Sequence, residues 1–140
     1  MTADENKATV QQLWAALYDR HDYDEVGALF ATDGYYCDMP HPDQGATGPV
    51  EVAARLRLGL AKLTDHTHDI EGITAEGDTV VTEHTEHWFF PTGEQVSLPF
   101  VSVHRFHDDK IALWRDYWNW DTLMSAVPAW WLEEIAAGYR

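Results

Sequence analysis

The stretch Lys110–Trp120, KIALWRDYWNW, sets one carboxylate, Asp116, between Trp114 and Trp118. The stretch alternates, and on a strand side chains repeat with period two, so Ala112, Trp114, Asp116 and Trp118 share one face. Taking a charge out of water costs several kcal/mol, roughly, unless it is paired or has a task. Asp116 is therefore a candidate general acid or base. The plainer alternative is an acid salt-bridged inside the fold or exposed at its rim.

A second constellation lies in Thr79–Phe90. Val80, Thr82, His84, Glu86, Trp88 and Phe90 share one face, and Val81, Glu83, Thr85, His87 and Phe89 the other. Neither face is cleanly polar, so periodicity leaves open which one points inward. The even face sets His84 and Glu86 roughly 6.6 Å apart along the strand, within reach of one small substrate. If Asp116 joins them, two acids and an imidazole meet in an apolar surround. Desolvation then raises at least one carboxylate pKa, and one acid can serve as base while the other stays protonated. A solvated cross-strand ion-pair face competes with this reading. His66 and His68 also lie at strand spacing, and His104 falls on the side of Phe100. A metal centre can be drawn from His84, Glu86, His104 and Asp116. No compact HExxH-type motif, glycine-rich phosphate loop or GxSxG elbow accompanies it, and the expectation is no metal and no cofactor.

These residues need elements to position them. Lys7–Arg20 carries Val10, Leu13, Trp14 and Leu17 at helical spacing, and Tyr23–Ala31 is a shorter helix with Asp22 at its N-cap. Gly34–Met39 is a short strand, which Pro40 and Pro42 help to end. Pro49 opens a third helix, whose apolar face is Val52, Ala53, Leu56, Leu60 and Leu63. Strands follow at His66–Ala75, Thr79–Phe90, Gln95–His107 and Lys110–Trp118, joined by the short turns EGD, PTGE and HDD. Asp121–Ala137 is helical with a break at Pro128. Helices followed by a meander of long strands give an α+β fold, a single domain with helices over one face of a curved sheet and an apolar pocket between.

The 140 residues are 45% hydrophobic, with 7 Trp, 6 Tyr and 5 Phe, and carry a formal net charge of −15. Such a chain is folded, and it is repelled by nucleic acid and by anionic membranes. The single cysteine, Cys37, rules out an intrachain disulfide and reads as a small buried hydrophobe. No apolar run is long enough to span a bilayer and the N-terminus is polar, so a cytoplasmic protein is expected. Trp88, Phe90, Phe100, Trp114 and Trp118 point to an apolar small-molecule ligand, against the alternative of ordinary core packing. The C-terminal AVPAWWLEEI is placed to cap the pocket mouth or to pad a dimer interface.

Element order, together with the segments TEHTEHW, SLPFVSVHRF, ALWRDYW and YYCDMP, resembles the cone-shaped nuclear transport factor 2-like superfamily. Within it the likeness is to the SnoaL-like and limonene epoxide hydrolase branch. The resemblance implies a cone-shaped, mixed and mostly antiparallel sheet wrapped by N-terminal helices, and a homodimer. In limonene epoxide hydrolases, an Arg-x-Asp pair and a later Asp form the catalytic trio, while a Tyr and an Asn help hold the attacking water. By position, Asp116 is the later acid and Tyr36 the tyrosine. Asp38 stands at the asparagine position, His84 at the arginine position and Glu86 at the second aspartate position. The likeness implies opening of an apolar epoxide by water, with Asp116 as base, Glu86 as acid and a protonated His84 bridging the two. The ketosteroid isomerases offer a second likeness, with Asp38 as base and Trp14 and Ser102 in the oxyanion-donor positions. An isomerase or SnoaL-like aldol cyclase, with Asp116 or Asp38 as base and His84 as a proton partner, is thus the alternative, and a non-catalytic binder using the same pocket is the third.

Overall fold

The structure is a computed structural model and describes residues 2–138. Helix α1, Ala3–Trp14, starts where the Thr2 side chain accepts a hydrogen bond from the Glu5 amide. Val10, Leu13 and Trp14 form its buried stripe, as their spacing predicts. The helix then widens into a π-turn at Ala15–Asp19, which buries Leu17 and Tyr18. Helix α2, Tyr23–Ala28, is capped by Asp22, whose carboxylate accepts from the Glu25 amide. Helix α3, Gly48–Leu60, has its proline in the first turn and buries Val52, Ala53, Leu56 and Leu60. Each fully buried aliphatic side chain here contributes about 2 kcal/mol.

Strands β1 (Phe30–Asp38), β2 (Ala46–Thr47), β3 (Asp65–Glu76), β4 (Thr79–Phe89), β5 (Gln95–His107) and β6 (Lys110–Tyr117) form one curled, open sheet in the order β2-β1-β6-β5-β4-β3. From β3 to β6 the pairing is an antiparallel meander. β1 lies parallel to β6, matching Tyr36 with Trp114 and Asp38 with Asp116. Short helices α4 (Trp120–Met124) and α5 (Ala129–Gly138) follow, with Pro128 between them. No helix among the described residues is long and apolar enough to cross a membrane.

The even face of β4 is the inward one, with Thr82 and His84 fully buried beside Glu86, Trp88 and Phe90. On β6 the expected face changes partway. The β5–β6 register shifts between Arg105 and Phe106, so Ile111 turns inward ahead of Trp114 and Asp116, and Ala112 takes up the extra place.

Helices α2 and α3 meet at Gly27, where a Cβ would lie 2.3 Å from the Pro49 carbonyl oxygen. Gly27→Ala is therefore expected to cost about 1–3 kcal/mol, seen as a lowered melting temperature. An unchanged melt would show that α3 can shift freely away from α2.

Candidate active site

Three carboxylates converge from different strands. The parallel β1–β6 register sets Asp38 beside Asp116, and Glu86 faces them from β4. All three line a cavity of about 500 Å³, whose walls include Tyr18, Tyr36, Trp88, Phe100, Trp114 and Trp118. Helix α5 covers it with Trp131, Leu132 and Ile135, and the Trp131 indole N–H donates to the Gly59 carbonyl at 2.8 Å.

Each acid accepts one indole N–H. Trp88 donates to Glu86 at 3.0 Å, Trp114 to Asp116 Oδ1 at 2.5 Å, and Trp118 to Asp38 at 2.9 Å. Period two explains the first two pairs, since Glu86 and Trp88, like Trp114 and Asp116, sit two apart on one face. An indole satisfies a carboxylate lone pair without bringing a counter-charge, so it favours ionisation less than an arginine would.

The electrostatics follow from this. Burial pushes Glu86 up to about 7, with the Tyr18 and Trp88 hydrogen bonds holding it back and the Asp38 charge adding to the rise. Burial, then the Asp38 and Glu86 charges, lifts Asp116 well above the usual carboxylate range, against hydrogen bonds from Ser102 and Trp114. Asp38 is raised by burial and restrained by Trp118, Arg55, Tyr36 and His41. The Tyr18 hydroxyl is raised well above its ordinary value by burial and by Glu86, so it stays a neutral donor.

The expected bridging by His84 is corrected by the structure. The ring is buried in a neutral form, its pKa pushed down to about 3 by desolvation and by His68. Its Nε2 lies 2.8 Å from Ser102 Oγ and its Nδ1 3.1 Å from His68 Nδ1. It therefore reaches Asp116 only through Ser102, whose hydroxyl donates to Asp116 Oδ1 at 2.6 Å. Arg55 of α3 brings a cation to the cavity and acts on Asp38.

Of the other expected lining residues, Trp88, Phe100, Trp114 and Trp118 border the cavity. Trp14, Phe90, Ser102 and His104 are buried behind that lining. Trp14 donates to Thr82 at 3.1 Å and Ser102 to Asp116, so the two presumed oxyanion donors are committed within the protein. Phe90 packs on Trp130 and Trp131. His104 lies against Trp14 and Trp114, with no hydrogen-bond partner for either ring nitrogen among the described residues, and burial pushes its pKa down to about 3. Tyr36 places its hydroxyl 3.4 Å from Asp38 Oδ1. Among the described residues, no three His, Cys, Asp or Glu side chains are arranged to hold a metal ion.

Sequence reasoning missed Tyr18 and Arg55. Arg55 carried a slight signal, because three residues after Val52 it borders the apolar stripe of α3. Tyr18 carried none, since its aim depends on the π-turn.

The profile of the SnoaL-like domain matches residues 10–114. No curated protein matches the chain. Among solved structures, an LEH-like epoxide hydrolase from M. tuberculosis superposes with a TM-score of 0.71 at 23% identity, over 98% of this chain and 90% of that one. A Catenulispora acidiphila protein with a ketosteroid isomerase-like fold, in complex with trimethylamine, gives 0.73 at 22%, over 87% and 95%. A candidate SnoaL-like polyketide cyclase from Jannaschia sp. gives 0.78 at 20%, over 91% and 94%. At these identities the likeness establishes the fold.

Proposed function

The chain belongs to the SnoaL-like domain family, and on that premise we propose that it is an acid–base enzyme which opens an apolar epoxide with water inside its cavity. The observation that carries this reading is the set of three carboxylates around one largely apolar cavity, each satisfied by an uncharged indole. A buried acid without a counter-charge keeps its proton at neutral pH and can give it to a developing alkoxide.

In this reading Asp116 is the acid, because its carboxyl is lifted well above the usual range. Glu86, with its pKa near 7, is the base. Tyr36 and Asp38 hold the water. The roles are the reverse of those the family likeness implied, since neutral His84 supplies no positive charge to keep Asp116 ionised. Water attacks one epoxide carbon as its C–O bond breaks. Asp116 protonates the departing oxygen and Glu86 takes the proton of the water. The product is a diol, and no covalent intermediate with the protein forms.

Product analysis with a panel of small cyclic and terpenoid epoxides tests the reading. Diol formed by the wild type and lost in Glu86→Gln is the expected result. The rate should rise with pH through about 7, as Glu86 loses its proton, and fall again at higher pH as Asp116 ionises. A profile that falls through pH 7 would assign Glu86 to the acid instead.

One observation favours a second reading. A protonated Asp116 beside a basic Glu86 also suits proton transfer on a carbon acid, with the acid donating to an enolate oxygen. Deuterium exchange into a ketone, with no diol from any epoxide, would select this isomerase or cyclase activity. No turnover of either class, with ligand affinity unchanged in Asp116→Asn, would leave a binder.

A further inference from the structure

Ser102, His84 and His68 are absent from the cavity wall, yet they join Asp116 in a continuous chain of hydrogen bonds. The distances are 2.6 Å from Ser102 Oγ to Asp116 Oδ1, 2.8 Å from His84 Nε2 to Ser102 Oγ, and 3.1 Å between the Nδ1 atoms of His68 and His84. A serine hydroxyl has one proton, and here it goes to Asp116. His84 must then carry its proton on Nε2 and donate it to Ser102. Its Nδ1 is left bare, so His68 must donate from its own Nδ1. All three donors point toward Asp116.

The chain leads out of the cavity. His68 lines a second, more open depression with Lys7, Gln11, Trp14 and Asp19. Trp14 walls the chain from water, its ring centroid 4.7 Å from His84, 5.3 Å from His68 and 5.7 Å from Trp114. Tyr18 stacks on His68 at 3.9 Å. The charged and titratable groups acting on His68 are Asp19, Asp69 and His87, and those near His84 are His68 and His104.

We propose that Ser102, His84 and His68 are a proton wire that resupplies Asp116 from the depression at His68, on a route that bypasses the substrate cavity. The inference rests on the reading of Asp116 as the acid. Solvent protonates His68 Nε2, and the His68 Nδ1 proton passes to His84 Nδ1. The His84 Nε2 proton passes to Ser102 Oγ, and the Ser102 proton passes to Asp116 Oδ1. Asp116 releases its cavity-side proton from Oδ2 to the substrate. Each group gains one proton and loses one, and the net transfer is one proton from solvent to substrate. Tautomer exchange of both rings, with a turn of the Ser102 hydroxyl and the Asp116 carboxyl, restores the resting arrangement before the next turnover. Burial disfavours a charged imidazole at either ring, holding His84 near 3 and His68 near 4, so the protons move together rather than resting on a ring. Ser102, His84 and His68 are positioning residues that act through Asp116.

The decisive measurement needs no substrate. In histidine-15N-labelled protein at pH 7, the ring nitrogen shifts should show His84 protonated on Nε2 and His68 protonated on Nδ1. A proton on His84 Nδ1, or a charged ring, overturns the wire even if the enzyme opens epoxides. Turnover supplies the second arm. Ser102→Ala should slow kcat about 10- to 100-fold with KM unchanged, and Ser102→Thr should restore it. His68→Gly should lose activity and recover it with imidazole in the buffer. A threonine variant as slow as the alanine one, or no response to imidazole, would reduce the chain to a structural network. If no variant or wild type forms diol, the hydrolase reading fails and the tautomers alone decide the wire.

Discussion

Asp116→Asn should lower kcat for epoxide opening by about 10²- to 10⁴-fold, the usual contribution of a positioned acid, with little change in KM. The amide keeps an oxygen to accept from Ser102 Oγ and the Trp114 indole, so the packing around position 116 is retained. It cannot give up a proton to an alkoxide. Diol analysis beside a thermal melt separates the two effects, because the variant should melt near the wild type while losing activity. Diol formation that survives in Asp116→Asn would remove Asp116 from the chemistry and leave Glu86 as the acid.

Glu86→Gln should stabilise the protein at pH 8 by about 3 kcal/mol and leave it unchanged at pH 4. The folded pKa of Glu86 is about 7, against an ordinary value of 4.5. Below 4.5 both the folded and the unfolded chain hold the proton, and the carboxyl costs nothing. Between 4.5 and 7 the unfolded chain ionises first, so stability falls as pH rises. Above 7 the cost is complete, and a neutral glutamine relieves it. Asp38 and Asp116, also raised, act in the same direction.

The buried histidines act in the opposite one. His66 and His68 are pushed down to about 4, and His84 and His104 to about 3. Below the ordinary value of 6.5 the unfolded chain binds protons that the folded one refuses, so stability rises with pH up to that value. The wild type should therefore be most stable near pH 6, with losses on both sides. Urea unfolding of wild type and Glu86→Gln across pH 4 to 8 checks both statements. Equal stability at pH 8 would mean that Glu86 is no harder to ionise inside the fold than outside it.

The strands were the most legible part of the sequence. Gln95–His107 has the bounds its alternation predicts, and the others are close, because a half-buried sheet prints its period on the chain. Asp22 and Pro49 marked their helix starts by their local chemistry. α1 begins at Ala3 rather than Lys7, since its first turn is polar and held by a cap instead of by packing. β1 begins at Phe30, before the expected Gly34, because its first residues pair with β6 across an irregular register that no local pattern encodes. β2, two residues long, left no period at all.

In the site, the residue types and the face that His84 and Glu86 share followed from spacing, while only the structure decides that this face points inward. What touches His84 did not. Its partners come from β3 and β5, and only cross-strand register decides that Ser102 and His68 reach it before Glu86 does. Periodicity also cannot separate a residue that lines a cavity from one buried behind the lining. Trp14, Phe90, Ser102 and His104 are all of the second kind.

The parallel seam between β1 and β6 ties the site to the order in which the chain is made. Asp38 and its indole donor Trp118 are 80 residues apart, and until β6 appears β1 has only the two residues of β2 beside it. A nascent chain thus carries an unsealed strand edge through most of its synthesis. Two of the three acids become neighbours only when the last strand docks, so a fragment that stops after β5 would have neither the seam nor the Asp38–Asp116 pair.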